Sequence, residues 1–457
     1  MSVFPFFFHC QKLSSLRHPA PLIVVVGALL SLVVLPSEAQ TYSWKSDLEH
    51  RICLDFNKSR TDVIAYIRRY IPNVSNSQLE TWERSGALEM RVINGEKRYF
   101  HNAASNLFRI EAKCRSIREQ KDGPLVNGYE TVDAENVPAI LSKASGKHPW
   151  AEPKRLRVTY TLTVSPDRVP AGKMVRCWLP FPRRDVSRQQ EVRLVSASEK
   201  RYVLAPDSCA HSSLYMERKA QKGRPTVFSE TLEYVSYGCW YDLKATDIKP
   251  YDTSSALYRC YTSERTSHIV FTPRLRHLAD ILTAGVSNPL LKARRIFEWV
   301  ATTFPWASAR EYSTIENIPE YVLENRHGDC GQVTLLFLTL CRISGIPARF
   351  ESGFMMHPGA ENLHDWGEIF FEGIGWIPVD TSFGIPSYAK NDAERHFFLG
   401  GIDSWRMVVN SDFGMPLYPA KRYPRSETVD FQRGEAEWEG GNLYFDDWTW
   451  KMEVAHE

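Results

Sequence analysis

One cysteine in the segment ENRHGDCGQVTLLFLTLCRISGIPARF, residues 324–350, has the setting of a nucleophile. Cys330 follows Gly328-Asp329 and opens an apolar stretch with helical spacing. Aspartate is a good N-cap, and glycine lets the backbone turn ahead of it. A thiol in the first helical turn lies at the positive end of the peptide dipoles, which favours thiolate. It also lies beside unpaired N–H groups that can hold an oxyanion. Such a nucleophile needs an imidazole to take its proton and a third group to orient the ring. Downstream, HDWGEIFFEGIGWIPVDTSFG, residues 364–384, reads as a hairpin with His364 opening one strand and Asp380 closing the other. Alone, a cysteine at a helix start is more often an inert buried residue. The ordered set Cys330, His364, Asp380 points instead to covalent catalysis.

Three elements must position these side chains: a helix over 331–344 stopped by Gly345 and Pro347, a strand over 364–372 and a strand over 376–380. The length of the connection decides whether they meet. A two-residue turn at Gly373-Ile374 would pair Asp380 with Gly367 and avert it from His364. An odd-numbered connection centred on Gly373, or a bulge, pairs Asp380 with Trp366 and leaves it diagonally ~7 Å from His364. The odd connection or bulge is therefore expected. Asp365 is expected to face away from its neighbour His364, because successive strand residues point to opposite sides.

Gly-Asp-Cys-Gly before an apolar helix ending in Gly-Ile-Pro-Ala-Arg, then His364 with Trp366, then Gly375-Trp376 and Val379-Asp380, resembles the transglutaminase-like superfamily. The core of that superfamily is similar to that of papain-like cysteine proteases. The resemblance runs from about residue 288 to 410. It implies that Cys330 is the nucleophile, His364 the general base and acid, and Asp380 the group that orients the imidazole. It also implies an upstream aromatic near the oxyanion, for which Trp306 in FPWAS is the match; an indole N–H suits that task. Trp366 is expected to wall the cleft or pack the sheet. Where Asp365 stands, the family often has a small residue. His327 and His357 lie near the motif with no partner legible in the sequence. HFFLGGIDSWRMVVN, residues 396–410, with His396 and Arg406, reads as packing.

The rest of the chain supplies context. Its 457 residues are 43% hydrophobic and 24% charged, an ordinary globular composition for two to four domains. A formal charge of +2 argues against a nucleic-acid partner. Lys12 and Arg17 precede PLIVVVGALLSLVVL, residues 21–35, and Ser37-Glu38-Ala39 follows. This is the order of a secretory signal over 1–39, with an apolar run short for a membrane span. Export to a periplasm or the exterior is expected, with a membrane association only if that segment is retained. Such compartments permit disulfides. Cys341, ~16 Å along the helix from Cys330, cannot bridge to it and reads as a small buried hydrophobe.

Residues 40–148 carry helical spacing. Alternation in RLRVTYTLTV, 155–164, and in later short segments suggests an antiparallel β-sandwich over 149–265. The catalytic core follows over 266–420, and 421–457 is set apart as a C-terminal extension. The fold class is thus α+β, a transglutaminase-like or papain-like core preceded by a helical region and a sandwich. HExxH, paired CxxC, phosphate-loop and G-x-S-x-G motifs are all missing, so no metal or cofactor is expected. The expected function is an exported thiol enzyme acting on peptide or protein amides through an acyl-enzyme, with hydrolysis preferred over amine transfer. The alternatives are a glutamine-crosslinking acyltransferase and a non-catalytic binding module on the same fold.

Overall fold

A computed structural model describes residues 43–145 and 148–457, so the signal-like segment lies outside the described residues. The first part of the chain is helical because its caps are explicit. Ser59 and Ser75 open Arg60–Ile67 and Asn76–Arg84 with reciprocal bonds to Asp62 and Gln78. These helices and the hairpin Met90–Ile93/Glu96–Tyr99 bury Phe56, Ile67, Leu88, Tyr99, Phe100 and Phe108 in a core of their own.

Two antiparallel five-stranded sheets come next. In one, Thr226–Trp240 pairs with Trp150–Val164, Gln189–Ala197 and Gly401–Ile402, and Trp448–His456 extends the far edge. In the other, Met174–Pro180 lies between Ser213–Lys219 and Glu435–Trp438. Leu156, Val158, Tyr160, Leu162 and Val164 are buried in strict alternation, and they share a core with Trp178, Met216 and Phe228. Residues 435–456 thus complete both sheets. No local pattern could show this, because the pairing partners lie far back in the chain.

The remaining layer positions the chemistry. A four-stranded antiparallel sheet runs in the order Gly375–Val379, Asn362–Phe371, Ala348–Met355, Arg406–Ser411. The helix Cys330–Ile343 packs on it, with every residue from Gly331 to Arg342 buried. Asp329 closes a capping box with Gln332. Gly345, at φ +78°, ends the helix ahead of Pro347. Gly328 serves space rather than dihedral freedom: a Cβ there would lie 3.1–3.3 Å from the Val333, Gln332 and Val322 side chains, which would have to give way. Cys341 is fully buried and free. Among the described residues no helix is long and apolar enough to cross a membrane.

Candidate active site

The connection between the histidine strand and the aspartate strand is odd. Phe371 pairs with Gly375 and Gly367 with Val379, leaving Glu372, Gly373 and Ile374 in the loop, with Gly373 at φ +87°. The register carries Asp380 opposite Trp366 and onto the His364 side of the sheet. Nε2 of His364 lies 2.7 Å from Oδ2 of Asp380. Asp380 is fully buried, and its Oδ1 accepts from the backbone N–H groups of Ser382 and Phe383 at 3.0 Å.

Burial alone would push the Asp380 carboxyl up. The His364 imidazole and the Arg406 guanidinium outweigh it and hold the group down at about 2. Burial lowers the His364 pKa and Arg406 lowers it further, which together outweigh the pull of Asp380. The imidazole is therefore neutral near pH 7. With Nε2–H donated to a carboxylate, Nδ1 carries the lone pair and is the basic nitrogen.

Arg406, read from the sequence as packing, is instead the hub of this site. Its Nη1 lies 2.9 Å from Asp380 and its Nε donates to Asp403 at 2.7 Å. Asp403 in turn lies 3.3 Å from Nε2 of His357, which is 3.0 Å from Asp133 in the helix Gly128–Lys143. Every member of this chain is fully buried. Asp133, His357 and Asp403 also bring their ligating atoms within 4.8 Å of one another, the spacing of a cation site. Arg406 already neutralises Asp403, which fits an ion-pair chain.

Cys330 is a free, half-buried thiol in the wall of a cleft of about 220 Å³. Its Sγ donates to Oδ2 of Asp365 at 3.5 Å. Tyr312 Oη donates to Asp329 at 2.7 Å and lies 3.4 Å from the same Asp365 oxygen. Asp365 does face away from His364, as strand alternation requires, but that side is the side of the cysteine helix. A Cβ on Gly367, on the same face, would touch Leu338 of that helix. Gly331 makes room for the arrangement, since a Cβ on it would fall 2.6 Å from Asp365 Oδ2.

Two expectations are corrected here. The thiol pKa is not lowered: burial pushes it well up, and the Asp365 and Asp329 carboxylates push it further, outweighing the helix terminus. Nor does a hydrogen bond join Cys330 to His364 among the described residues; the thiol's partner is Asp365. The backbone N–H groups of Cys330 and Gly331 belong to the first helical turn, where the helix itself offers them no carbonyl.

The tryptophans separate. Trp306 lines the cleft with its ring 45% exposed and the Arg109 guanidinium 4.7 Å from its centre. Trp366 does not wall the cleft. It is fully buried on the opposite sheet face against Cys239, Ile402 and Val408, its Nε1 donates to Glu351, and it stacks on His364. Strand alternation forces this, because a residue two beyond His364 shares its face.

His327 is buried against the Tyr321 ring, and burial lowers it to about 4. His396 sits with Glu298 and Asp392, away from the cleft. Missed entirely was Gln432, whose Nε2 donates to the His364 carbonyl at 2.8 Å and to Asp365 at 2.7 Å. Residues 426–430, 432 and 433 form one side of the cleft, so the segment set apart as an extension completes the site.

Residues 276–381 match the Transglutaminase-like superfamily. A Bacillus subtilis (strain 168) protein, YebA, described as uncharacterized, is 24% identical over 135 residues, covering 26% of this chain and 18% of its own length. This chain therefore spans less than a fifth of that relative. A proposed cysteine protease from Cytophaga hutchinsonii is similar in structure at 12% identity and TM-score 0.45, covering 67% of this chain and 92% of that one. The periplasmic domain of TgpA from Pseudomonas aeruginosa matches at 15% identity and TM-score 0.28, covering 57% of this chain and 93% of that one. Over residues 276–381, where helix, histidine strand and aspartate strand meet, this chain carries a domain of the transglutaminase-like superfamily.

Proposed function

We propose that the protein is a thiol enzyme that cleaves peptide or side-chain amides through an acyl-enzyme. The observation that carries this reading is the buried His364–Asp380 pair, 2.7 Å apart, with a neutral imidazole next in sequence to the residue holding the Cys330 thiol. His364 and Asp365 point to opposite sides of their strand, so reaction requires the sulfur to leave Asp365 and come within reach of Nδ1 of His364, which then takes its proton. The new S–C bond forms at the amide carbonyl, and the displaced electron pair becomes an oxyanion beside the Cys330 and Gly331 N–H groups. Collapse breaks the C–N bond, and His364 returns the proton to the departing amine. Water then cleaves the thioester; an amine in its place would yield a crosslink. Hydrolysis is the preferred outcome. The charged-then-apolar segment at 1–39 supports placing the reaction outside the cytoplasm.

The test is mass spectrometry of a peptide-library digest with and without methylamine. Cut peptides with free carboxyls mean hydrolysis, and methylamide products mean transfer. Cys330→Ala must abolish both while the protein stays folded. Products that persist in Cys330→Ala refute the reading.

A further inference from the structure

The cleft around Cys330 is rich in carboxylates and short of cations. Glu311, Asp329, Asp365, Glu427 and Asp430 line it. The arginines that reach it are already engaged. Arg310 pairs with Glu89, and Arg433 divides its guanidinium between Glu311 at 2.9–3.0 Å and Glu427 at 2.6 Å. Asp329 is satisfied by Tyr312 and by its own helix.

Asp430 has no such partner. It is only 8% exposed and lines the cleft, yet among the described residues no N–H or O–H group donates to its carboxyl. The charged group that acts on it most is a second carboxyl, that of Glu427. Burial, then Glu427 and Asp365, push Asp430 well above the ordinary carboxylate range against the pull of Arg433. Two carboxyls this close in a nearly buried wall disfavour each other's charge, and a cationic donor entering from the cleft relieves both. An ammonium or guanidinium supplies both the charge and the donors. A divalent metal fits less well, because the ligating atoms that close to metal spacing among the described residues are those of Asp133, His357 and Asp403, outside this cleft.

On the reading that Cys330 attacks an amide, we propose that the cleft seats a lysine or arginine side chain of the attacked peptide, its cation against Asp430 with Asp365 and Glu427 around it. Asp365 also holds the Cys330 thiol. The cation therefore belongs to a residue adjoining the attacked carbonyl rather than to a distant part of the substrate. Exposed Trp306 in the same wall offers an apolar face for the long aliphatic stem.

The test compares binding of acetyl-arginine methylamide with its citrulline isostere, which keeps the shape and loses the charge. Binding is measured by calorimetry on the full chain carrying Cys330→Ala, so that no turnover intervenes. The arginine compound is expected to bind at least about tenfold tighter, ~1.4 kcal/mol. The ratio should fall as salt is raised, and it should collapse toward one in Asp430→Asn and in Glu427→Gln. Equal affinities, no binding of either compound at about 10 mM, or a ratio that survives both variants would overturn the inference. So would calcium chloride binding that is lost in Asp430→Asn, since the carboxyls would then hold a metal. The charge comparison is made without either carboxyl variant, so misfolding of those variants does not spare the proposal. If arginine preference holds but Cys330→Ala leaves digestion intact, the enzyme reading fails alone. If Cys330 is essential but arginine and citrulline bind alike, this inference fails alone.

Discussion

Asp365 should restrain the nucleophile, and Asp365→Asn tests this directly. The carboxylate stands 3.5 Å from the sulfur. Burial, then the Asp329 carboxylate, raises the Asp365 carboxyl well above the ordinary range; in its ionised form it would repel a thiolate there by 332/(20 × 3.5), about 5 kcal/mol at an effective dielectric of about 20. Because the thiol is only partly buried, solvent screens this to roughly 1.5–3 kcal/mol. At 1.4 kcal/mol per factor of ten, the thiolate fraction at pH 7 should rise by roughly 10- to 150-fold on removing the charge. A less basic thiolate is intrinsically a weaker nucleophile, which offsets about half of this on a logarithmic scale. The net expectation is a roughly three- to tenfold faster reaction of Cys330 with iodoacetamide at pH 7, followed by peptide mapping. Asparagine keeps an acceptor for Gln432, so the strand should stay in place. A slower reaction would mean that Asp365 is itself the proton acceptor. An unchanged rate would mean that the sulfur does not sense the carboxylate, and either result refutes the argument.

Other perturbations follow from the same geometry. Asp380 is held down at about 2 against an ordinary 3.8, so its folded-state pKa is depressed. Its contribution, about 2 kcal/mol, is complete above pH ~4 and lost as pH falls toward ~2; circular-dichroism titration of the wild type should show that loss, and Asp380→Asn should lack this component. Arg406→Met leaves Asp380 and Asp403 buried without their cation and is expected to destabilise by about 3–5 kcal/mol in urea unfolding; a loss under about 1 kcal/mol would show that the ion-pair chain does not hold the site. Trp366→Ala should cost about 3–5 kcal/mol. Trp306→Ala, at a half-exposed ring, should change stability little and show its effect in kcat/KM instead; the reverse ranking would undo the placing of Trp366 in the core and Trp306 in the cleft wall.

What the sequence determined by itself was whatever depends on near neighbours. Asp329 caps the helix at Cys330 because N-cap and Gln332 are three residues apart. His364 meets Asp380 through a three-residue loop, which residue spacing allowed alongside a two-residue turn and which the need for the two side chains to meet singled out. Cys341 is buried because it falls on the helix that the sheet covers. These consequences follow from local geometry and read directly from residue spacing.

What only the tertiary structure decided was which charges converge. Asp365 was correctly averted from His364, yet the averted side proved to be the cysteine side, which reverses the expected electrostatics of the thiol. Arg406 joins Asp380 to Asp403, and Gln432 braces the histidine strand from a segment that had no visible role. Asp430 and Glu427 enter the cleft only because the last strands return to the sandwich. Coulomb interactions act through space and burial is a property of the whole fold, so neither could be read from the order of residues along one strand or one helix.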